Sequence, residues 1–243
     1  MLRAENLTLA VPGKTLCRDL SLTIRPGQCW AILGCNGSGK TSLLHALSGL
    51  AEPASGRVVL DDMPLADIPR RELARSIGVL LQDEAAGYWG TVADYVLLGR
   101  FPHSSGAADA EDNLLALDAL QRLNMGAYSA RRLATLSGGE RQRVRIAQLL
   151  AQAPRLYCLD EPLQHLDLRH QAETMALLRD LAGAAQQAVI MVLHEPWWAA
   201  RYCSHALLVF DDGASSGGEA GAVLTRENLE KLYGCPLIAP ICV

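Results

Sequence analysis

The segment Gly34-Cys35-Asn36-Gly37-Ser38-Gly39-Lys40-Thr41 spaces a glycine, four residues and then Gly-Lys-Thr. That pattern suits the binding of an anion. Glycines let successive backbone N–H groups turn inward with no Cβ in the way. Lys40 supplies a point charge for the β and γ phosphates of a nucleotide, and Thr41 a hydroxyl for Mg²⁺. The segment follows a short apolar run, Cys29-Trp30-Ala31-Ile32-Leu33, and opens a helical pattern. The free N–H groups and positive end of that helix would point at the same place. A glycine-rich strand-to-helix turn is the plain alternative; the strand before and the helix after speak for the phosphate site.

Two further constellations carry chemistry. Leu156-Tyr157-Cys158-Leu159-Asp160-Glu161-Pro162 runs from an apolar strand into adjacent carboxylates, which a parallel sheet presents at its ligand-binding edge. Asp160 suits Mg²⁺ held through water, and Glu161 suits the polarisation of a water that attacks a γ-phosphate. The alternative for either acid alone is a solvated turn. In Leu136-Ser137-Gly138-Gly139-Glu140-Arg141-Gln142-Arg143, Ser137 and Glu140 form the pattern of a capping box, which most often does no more than start a helix. A serine followed by two glycines at a helix start is also an open anion site.

These groups need a scaffold, and the hydrophobic pattern supplies one. Cys29–Leu33, Arg155–Leu159 and Ala188–Leu193 are short and nearly continuous apolar runs, as in parallel strands covered on both faces. Glu5–Leu9, Ser21–Ile24 and Gly56–Asp62 alternate or carry turn signals and read as antiparallel strands with one wet face. Helical periodicity covers 40–50, 70–76, 111–124, 139–152, 170–183 and 225–233, so the fold class is α/β with crossover connections. From about 83 to 152 the chain reads as helix or loop, a helical insertion in that core. Ser215-Ser216-Gly217-Gly218 reads as a short flexible loop.

Composition narrows the classes. The chain has 243 residues, half of them hydrophobic, with 22 Lys+Arg against 26 Asp+Glu and a net charge of −4. Such a balance excludes a disordered or fibrous chain and argues against the broad positive field of a duplex-binding protein. No stretch approaches the roughly 18 uncharged apolar residues of a membrane span. Met1–Asn6 lacks the apolar centre of a secretory signal. Seven cysteines, at 17, 29, 35, 158, 203, 235 and 242, show no CxxC spacing, so reduced thiols and a cytosolic location are expected.

Taken in order, the phosphate loop at 34–41, Gln82, the segment 136–143, Asp160-Glu161, Leu166-Asp167 and His194 resemble the motifs of the ATP-binding-cassette ATPases over about residues 2–240. The resemblance implies a P-loop ATPase fold with a mixed RecA-like core, an N-terminal antiparallel β subdomain and a helical subdomain. Residues 1–82 and 153–243 would form the core and 83–152 the helical subdomain of a single domain. It implies ATP and Mg²⁺ as ligands, with Gly34, Cys35, Asn36, Gly37, Ser38, Gly39, Lys40, Thr41 and Ser42 around the phosphates. It also implies a head-to-tail homodimer, in which Ser137, Gly138 and Gly139 of one copy close on the nucleotide of the other and Asp167 lies across the interface. Thr41, Asp160 and Gln82 would attend the metal. Lys40, Glu161, Gln82 and His194 would carry the catalysis, His194 contacting the γ-phosphate and positioning the water of Glu161.

Three places depart from the family pattern. Val11 stands where the family carries the aromatic residue that stacks on adenine. Stacking contributes about 1–3 kcal/mol, so either adenine selectivity is weak or another apolar contact replaces it. Cys35 is unusual in the phosphate loop; a helix N-terminus lowers a thiol's pKa, so it is either a reactive site shielded by ATP or the occupant of a permissive position. Glu195-Pro196-Trp197-Trp198 follows His194 with unusual bulk. Pro196 suits the first turn of a helix, and the tryptophans suit core or dimer contacts.

The run Thr91–His103, with Gly99-Arg100-Phe101-Pro102-His103 at its end, resembles the ATPases of bacterial importers for ferric siderophores, haem and cobalamin. Gln164–Gln171 and Ala199–Cys203 add to that likeness. It implies integral membrane permease subunits as partners, a periplasmic or extracellular solute-binding protein acting indirectly, and a peripheral position on the cytoplasmic face of the membrane. No nucleic-acid partner is expected. The ATPase of an exporter or of another importer fits the same motifs. So does a non-transport ATPase of metal-cluster assembly or DNA repair, although the heptads that would favour repair are missing between 41 and 136.

Overall fold

The computed structural model describes residues 1–82, 88–104, 109–183 and 187–236. In chain order its elements begin with β1 (Leu2–Val11), β2 (Lys14–Ile24), β3 (Cys29–Leu33), α1 (Lys40–Leu47), β4 (Ser55–Leu60), β5 (Met63–Pro64), α2 (Arg70–Ser76) and β6 (Ile77–Leu80). Helices α3 (Val92–Leu97), α4 (Ala110–Arg122) and α5 (Gly138–Gln152) follow. The chain continues through β7 (Leu156–Asp160), α6 (Leu168–Gly183), β8 (Ala188–Val192), α7 (Pro196–Tyr202), β9 (His205–Val209), β10 (Ser215–Glu219), α8 (Ala220–Val223) and α9 (Arg226–Tyr233).

Strands β3, β7 and β8 are buried at every residue, as their continuous apolar runs require. They lie in a sheet of order β10-β9-β3-β8-β7-β6, in which every pair but β9–β10 is parallel. The carboxyl ends of β3, β7 and β8 therefore share one edge, where Gly34, Glu161 and His194 follow. The alternating strands form a second, antiparallel sheet of order β2-β1-β4-β5. One apolar cluster joins the two sheets around Leu43, Leu44 and Leu47 of α1, which pack with Leu7, Leu9, Val58, Ile32, Ile190 and Val192. Each such leucine or isoleucine contributes about 1.5–3 kcal/mol by leaving water, so α1 is held rigidly beneath the loop that precedes it.

The opposite face of the parallel sheet is covered by α6 and α7, through Met175, Leu178 and Trp198. That cluster continues without a break into Val92, Val96, Leu120, Met125, Val144 and Ile146 of the helical region. The described residues between 88 and 152 are helices and turns, with one isolated bridge between Thr91 and Arg132. Residues 83–87 and 105–108 of the stretch expected as helical lie outside the described residues. Helix α7 does begin at Pro196; Trp198 is buried, and its ring lies 3.9 Å, centroid to centroid and tilted by 31°, from that of the half-exposed Trp197.

One expectation is corrected. Ser215–Gly218 is part of strand β10, paired with β9 from Ser215↔Val209 to Glu219↔His205. The ladder needs only backbone groups, and β9 leaves its outer edge free to provide them. As an edge strand β10 needs no apolar face, so its composition gives no β signal. The six described cysteines are free thiols; Cys242 lies outside the described residues.

Candidate functional site

The loop between β3 and α1 is shaped by close approach. A Cβ on Gly34 would stand 2.5 Å from the Val209 carbonyl and 2.6 Å from Ser38 Oγ, so no larger residue fits. Gly39, the N-cap of α1, is left-handed at φ 100° and makes no side-chain cap, which leaves the first N–H groups of the helix to an anion. Lys40 is buried and folds over its own loop, with Nζ donating to the carbonyls of Gly34 at 3.0 Å and Cys35 at 2.9 Å. Burial lowers its pKa, opposed by the negative groups around it, Glu161 first. Lys14 Nζ braces the loop from outside through the Gly37 carbonyl at 3.0 Å. Asn36 and Gly37 are exposed, Thr41 and Ser42 half-buried in the first turn.

Asp160 closes β7 beneath this loop. It is 1% exposed, and neither carboxylate oxygen has a hydrogen-bond partner of good geometry. Burial pushes its pKa up, and the neighbouring Thr41 hydroxyl pulls it partly back. A buried carboxylate without a partner, next to a hydroxyl, is a costly arrangement unless a cation completes it. Few carboxylates and several hard oxygen donors fit Mg²⁺.

Glu161 turns the chain sharply, with φ at 50°, a region that non-glycine residues seldom occupy. Its Oε1 lies 2.7 Å from His194 Nε2. Its Oε2 accepts a hydrogen bond from Gln164 Nε2 at 3.1 Å. His194 sits just past β8, and its carbonyl accepts from the Tyr233 hydroxyl at 3.3 Å. Burial pushes that phenol up to about 12, so it stays a donor at neutral pH. Cys35 is half-buried and its Sγ donates to the Leu232 carbonyl at 3.2 Å. Helix α9 thus touches both the phosphate loop and the segment of His194.

Ser137 caps α5 as a complete capping box: its Oγ accepts from the Glu140 N–H at 3.3 Å, and Glu140 Oε2 accepts from the Ser137 N–H at 2.8 Å. The local reading of this segment is therefore correct. The same residues also line an open groove of about 560 Å³ with Gly138, Gly139, Arg143, His165, Leu166, Asp167 and His170. Asp167 Oδ1 accepts from the His170 N–H at 2.9 Å, which with the His170 ring holds its carboxyl below the usual range. A Cβ on Gly139 would stand 2.7 Å from the His165 carbonyl.

The expected residues fall into two groups. Lys40, Thr41, Asp160, Glu161 and His194 meet at the sheet edge, while Ser137, Gly138, Gly139 and Asp167 form a groove that no phosphate-loop residue lines. Gln82 ends up exposed beyond β6, its carbonyl 3.4 Å from Arg145 Nη1. Gln142, Arg145, Gln164 and Tyr233 escape a reading of the sequence, since a polar residue on a helix or loop carries no signal of its partner.

A family model described as ABC transporter matches residues 17–164. The hemin import ATP-binding protein HmuV of Bordetella pertussis is 40% identical over 241 residues, covering 96% of this chain and 92% of the relative. Among solved structures, an inward-facing ABC transporter assigned to the metal-chelate type superposes with a TM-score of 0.84 at 32% identity, over 97% of this chain and 89% of the other. The dimeric post-hydrolysis ATP-binding cassette MJ0796, bound to ADP and Pi, superposes with a TM-score of 0.80 at 26% identity, over 90% and 99%.

Proposed function

This chain belongs to the ABC transporter family as an ATP-binding and ATP-hydrolysing import subunit, and we propose that two copies of it drive the uptake of haem or a related chelate, ferric siderophore or cobalamin. The observation that carries the catalytic reading is the 2.7 Å contact of His194 with Glu161 beside Lys40 and the unpaired Asp160.

Lys40 exchanges its two loop carbonyls for phosphate oxygens, a trade of neutral acceptors for charged ones that strengthens its bonds. Thr41, Asp160 and Gln82 are the residues that would hold Mg²⁺, which when bound offsets negative charge on the phosphate oxygens. Glu161 accepts a proton from the attacking water, and His194 fixes the direction in which that carboxylate points. The Ser137–Gly139 groove contains no part of the phosphate loop, which supports closure by a second copy, as does the likeness to a dimeric cassette. Differential affinity of closed and open pairs for ATP then performs the work.

The core of 1–82 with 153–243 would hold nucleotide, and the helical stretch 83–152 would receive the permease. Among the described residues no helix is long and apolar enough to cross a membrane. Integral permease subunits would therefore supply the spans, a solute-binding protein outside would deliver the cargo, and this subunit would sit on the cytoplasmic face. The test is purification of the subunit from its native membranes, followed by ATP hydrolysis in the reconstituted complex. Copurification of a permease and stimulation by haem-loaded binding protein are expected. Stimulation by a cargo of another chemical class would overturn the assignment of the solute, and loss of hydrolysis dependence on Glu161 would overturn the mechanism.

A further inference from the structure

Midway along α5, where the helix packs into the core, two side chains are polar: Gln142 is 4% exposed and Arg145 8%. A guanidinium is buried only where it is paired. Arg145 Nη1 donates to Gln142 Oε1 at 2.9 Å and to the Gln82 carbonyl at 3.4 Å, and Nη2 donates to the Leu81 carbonyl. Gln142 Nε2 in turn donates to the carbonyls of Pro162 at 3.1 Å and Glu161 at 3.4 Å. The three-residue spacing places both side chains on one face of the helix. A continuous relay thus runs from the end of β6, through α5, to the peptides that follow β7.

The anchored points are the ones whose backbone most needs anchoring. Glu161 holds a left-handed φ of 50°, a conformation that persists only where its surroundings impose it. Gln82 is exposed two residues beyond the end of β6. The helix that carries the relay is also the helix whose first turn, Ser137–Gly139, lines the second half of the site. We propose that Gln142 and Arg145 are positioning residues that make the start of α5, Gln82 and Glu161 move as one body. Engagement of the Ser137–Gly139 groove by nucleotide then sets the aim of Glu161 and Gln82 in the same chain. This inference rests on the roles given above to Glu161 and Gln82.

Two variants test it in the assembled transporter. Gln142→Glu keeps the acceptor for Arg145 and removes the donor to both carbonyls. Arg145→Lys keeps the buried charge but loses the planar fork that spans two directions. Each is expected to lower kcat for ATP about tenfold or more while KM stays within about twofold, because neither touches the phosphate loop. Should Gln142→Glu fail to fold, Arg145→Lys carries the test alone. Wild-type kcat in the folded variants, or a rise in KM with kcat unchanged, would overturn the relay. Glu161→Gln is run beside them: if it retains turnover, the role of Glu161 fails first; if it abolishes turnover while the relay variants stay active, only this inference falls.

Discussion

His194 Nε2 stands 2.7 Å from Glu161 Oε1, so the ends of the neighbouring parallel strands β8 and β7 are joined across the sheet edge by an imidazole and a carboxylate. The second oxygen of Glu161 is taken by Gln164. With both oxygens engaged, the carboxylate has a fixed direction before any substrate arrives. His194→Ala frees one oxygen and should lower kcat for ATP hydrolysis about 100-fold, within the range of misaligned general bases. Nucleotide affinity should stay within about twofold, since Lys40 and its loop are untouched. Single-turnover hydrolysis and nucleotide titration separate the two quantities; near-normal turnover would remove His194 from the mechanism.

Asp160 makes a prediction about stability and pH. Burial raises its pKa in the folded chain above the unfolded value, so between those two values the folded state binds more protons. Stability from this group is then lost as pH rises through that window. Asp160→Asn removes the buried charge and should stabilise the nucleotide-free protein at neutral pH by about 1 kcal/mol, or about 2–4 °C in Tm. The gain should vanish below about pH 3, under the unfolded value, where the wild-type carboxyl is protonated in both states. Saturating Mg-ATP should reverse the order, raising the Tm of wild type and not that of the variant. Thermal melts at the two pH values, with and without Mg-ATP, check all three statements.

How far the sequence discloses this site depends on the kind of signal each residue leaves. The loop 34–41 and the strand ending at Asp160 are legible because local order and chemistry coincide: apolar run, glycines or acids, then a helix. The two-sheet arrangement follows from the contrast of continuous and alternating runs. Strand β10 is not legible, because an edge strand of Ser and Gly is made by its partner rather than by its own propensity. The contact of His194 with Glu161 joins residues 33 positions apart, and nothing local announces it. Gln142 and Arg145 look like the polar face of an ordinary helix, and only the packing of α5 against the ends of β6 and β7 buries them.

The two glycines after Ser137 should differ in what they tolerate. A Cβ at Gly139 would stand 2.7 Å from the backbone carbonyl of His165, which is itself left-handed at φ 63° and cannot easily yield. At Gly138 the nearest atoms, His165 Cβ and Cγ at 3.4 Å, are already at ordinary van der Waals distance, so nothing need shift. Gly139→Ala should therefore cost about 1–3 kcal/mol, the usual range for overpacking, and displace Asp167 from the groove. Gly138→Ala should leave stability within about 0.5 kcal/mol. Denaturant melts compare the two directly, and equal losses would show that His165 does not set the difference.

Val11 is 46% exposed at the end of β1, paired across the hairpin with Lys14, whose ammonium braces the phosphate loop at Gly37. The position is therefore open to solvent yet tied to the cradle through one side chain. A valine there offers a nucleobase a small apolar surface and no π face. Val11→Tyr should restore a stacking partner worth about 1–3 kcal/mol, which tightens ATP binding roughly five- to hundred-fold. Every base has a π face, so GTP should gain as well, and the ratio of the two affinities should change less than either one. Fluorescence titration of both nucleotides reads this out. Unchanged affinity would mean that another apolar contact already covers the base, and that the exposed valine is no deficit at all.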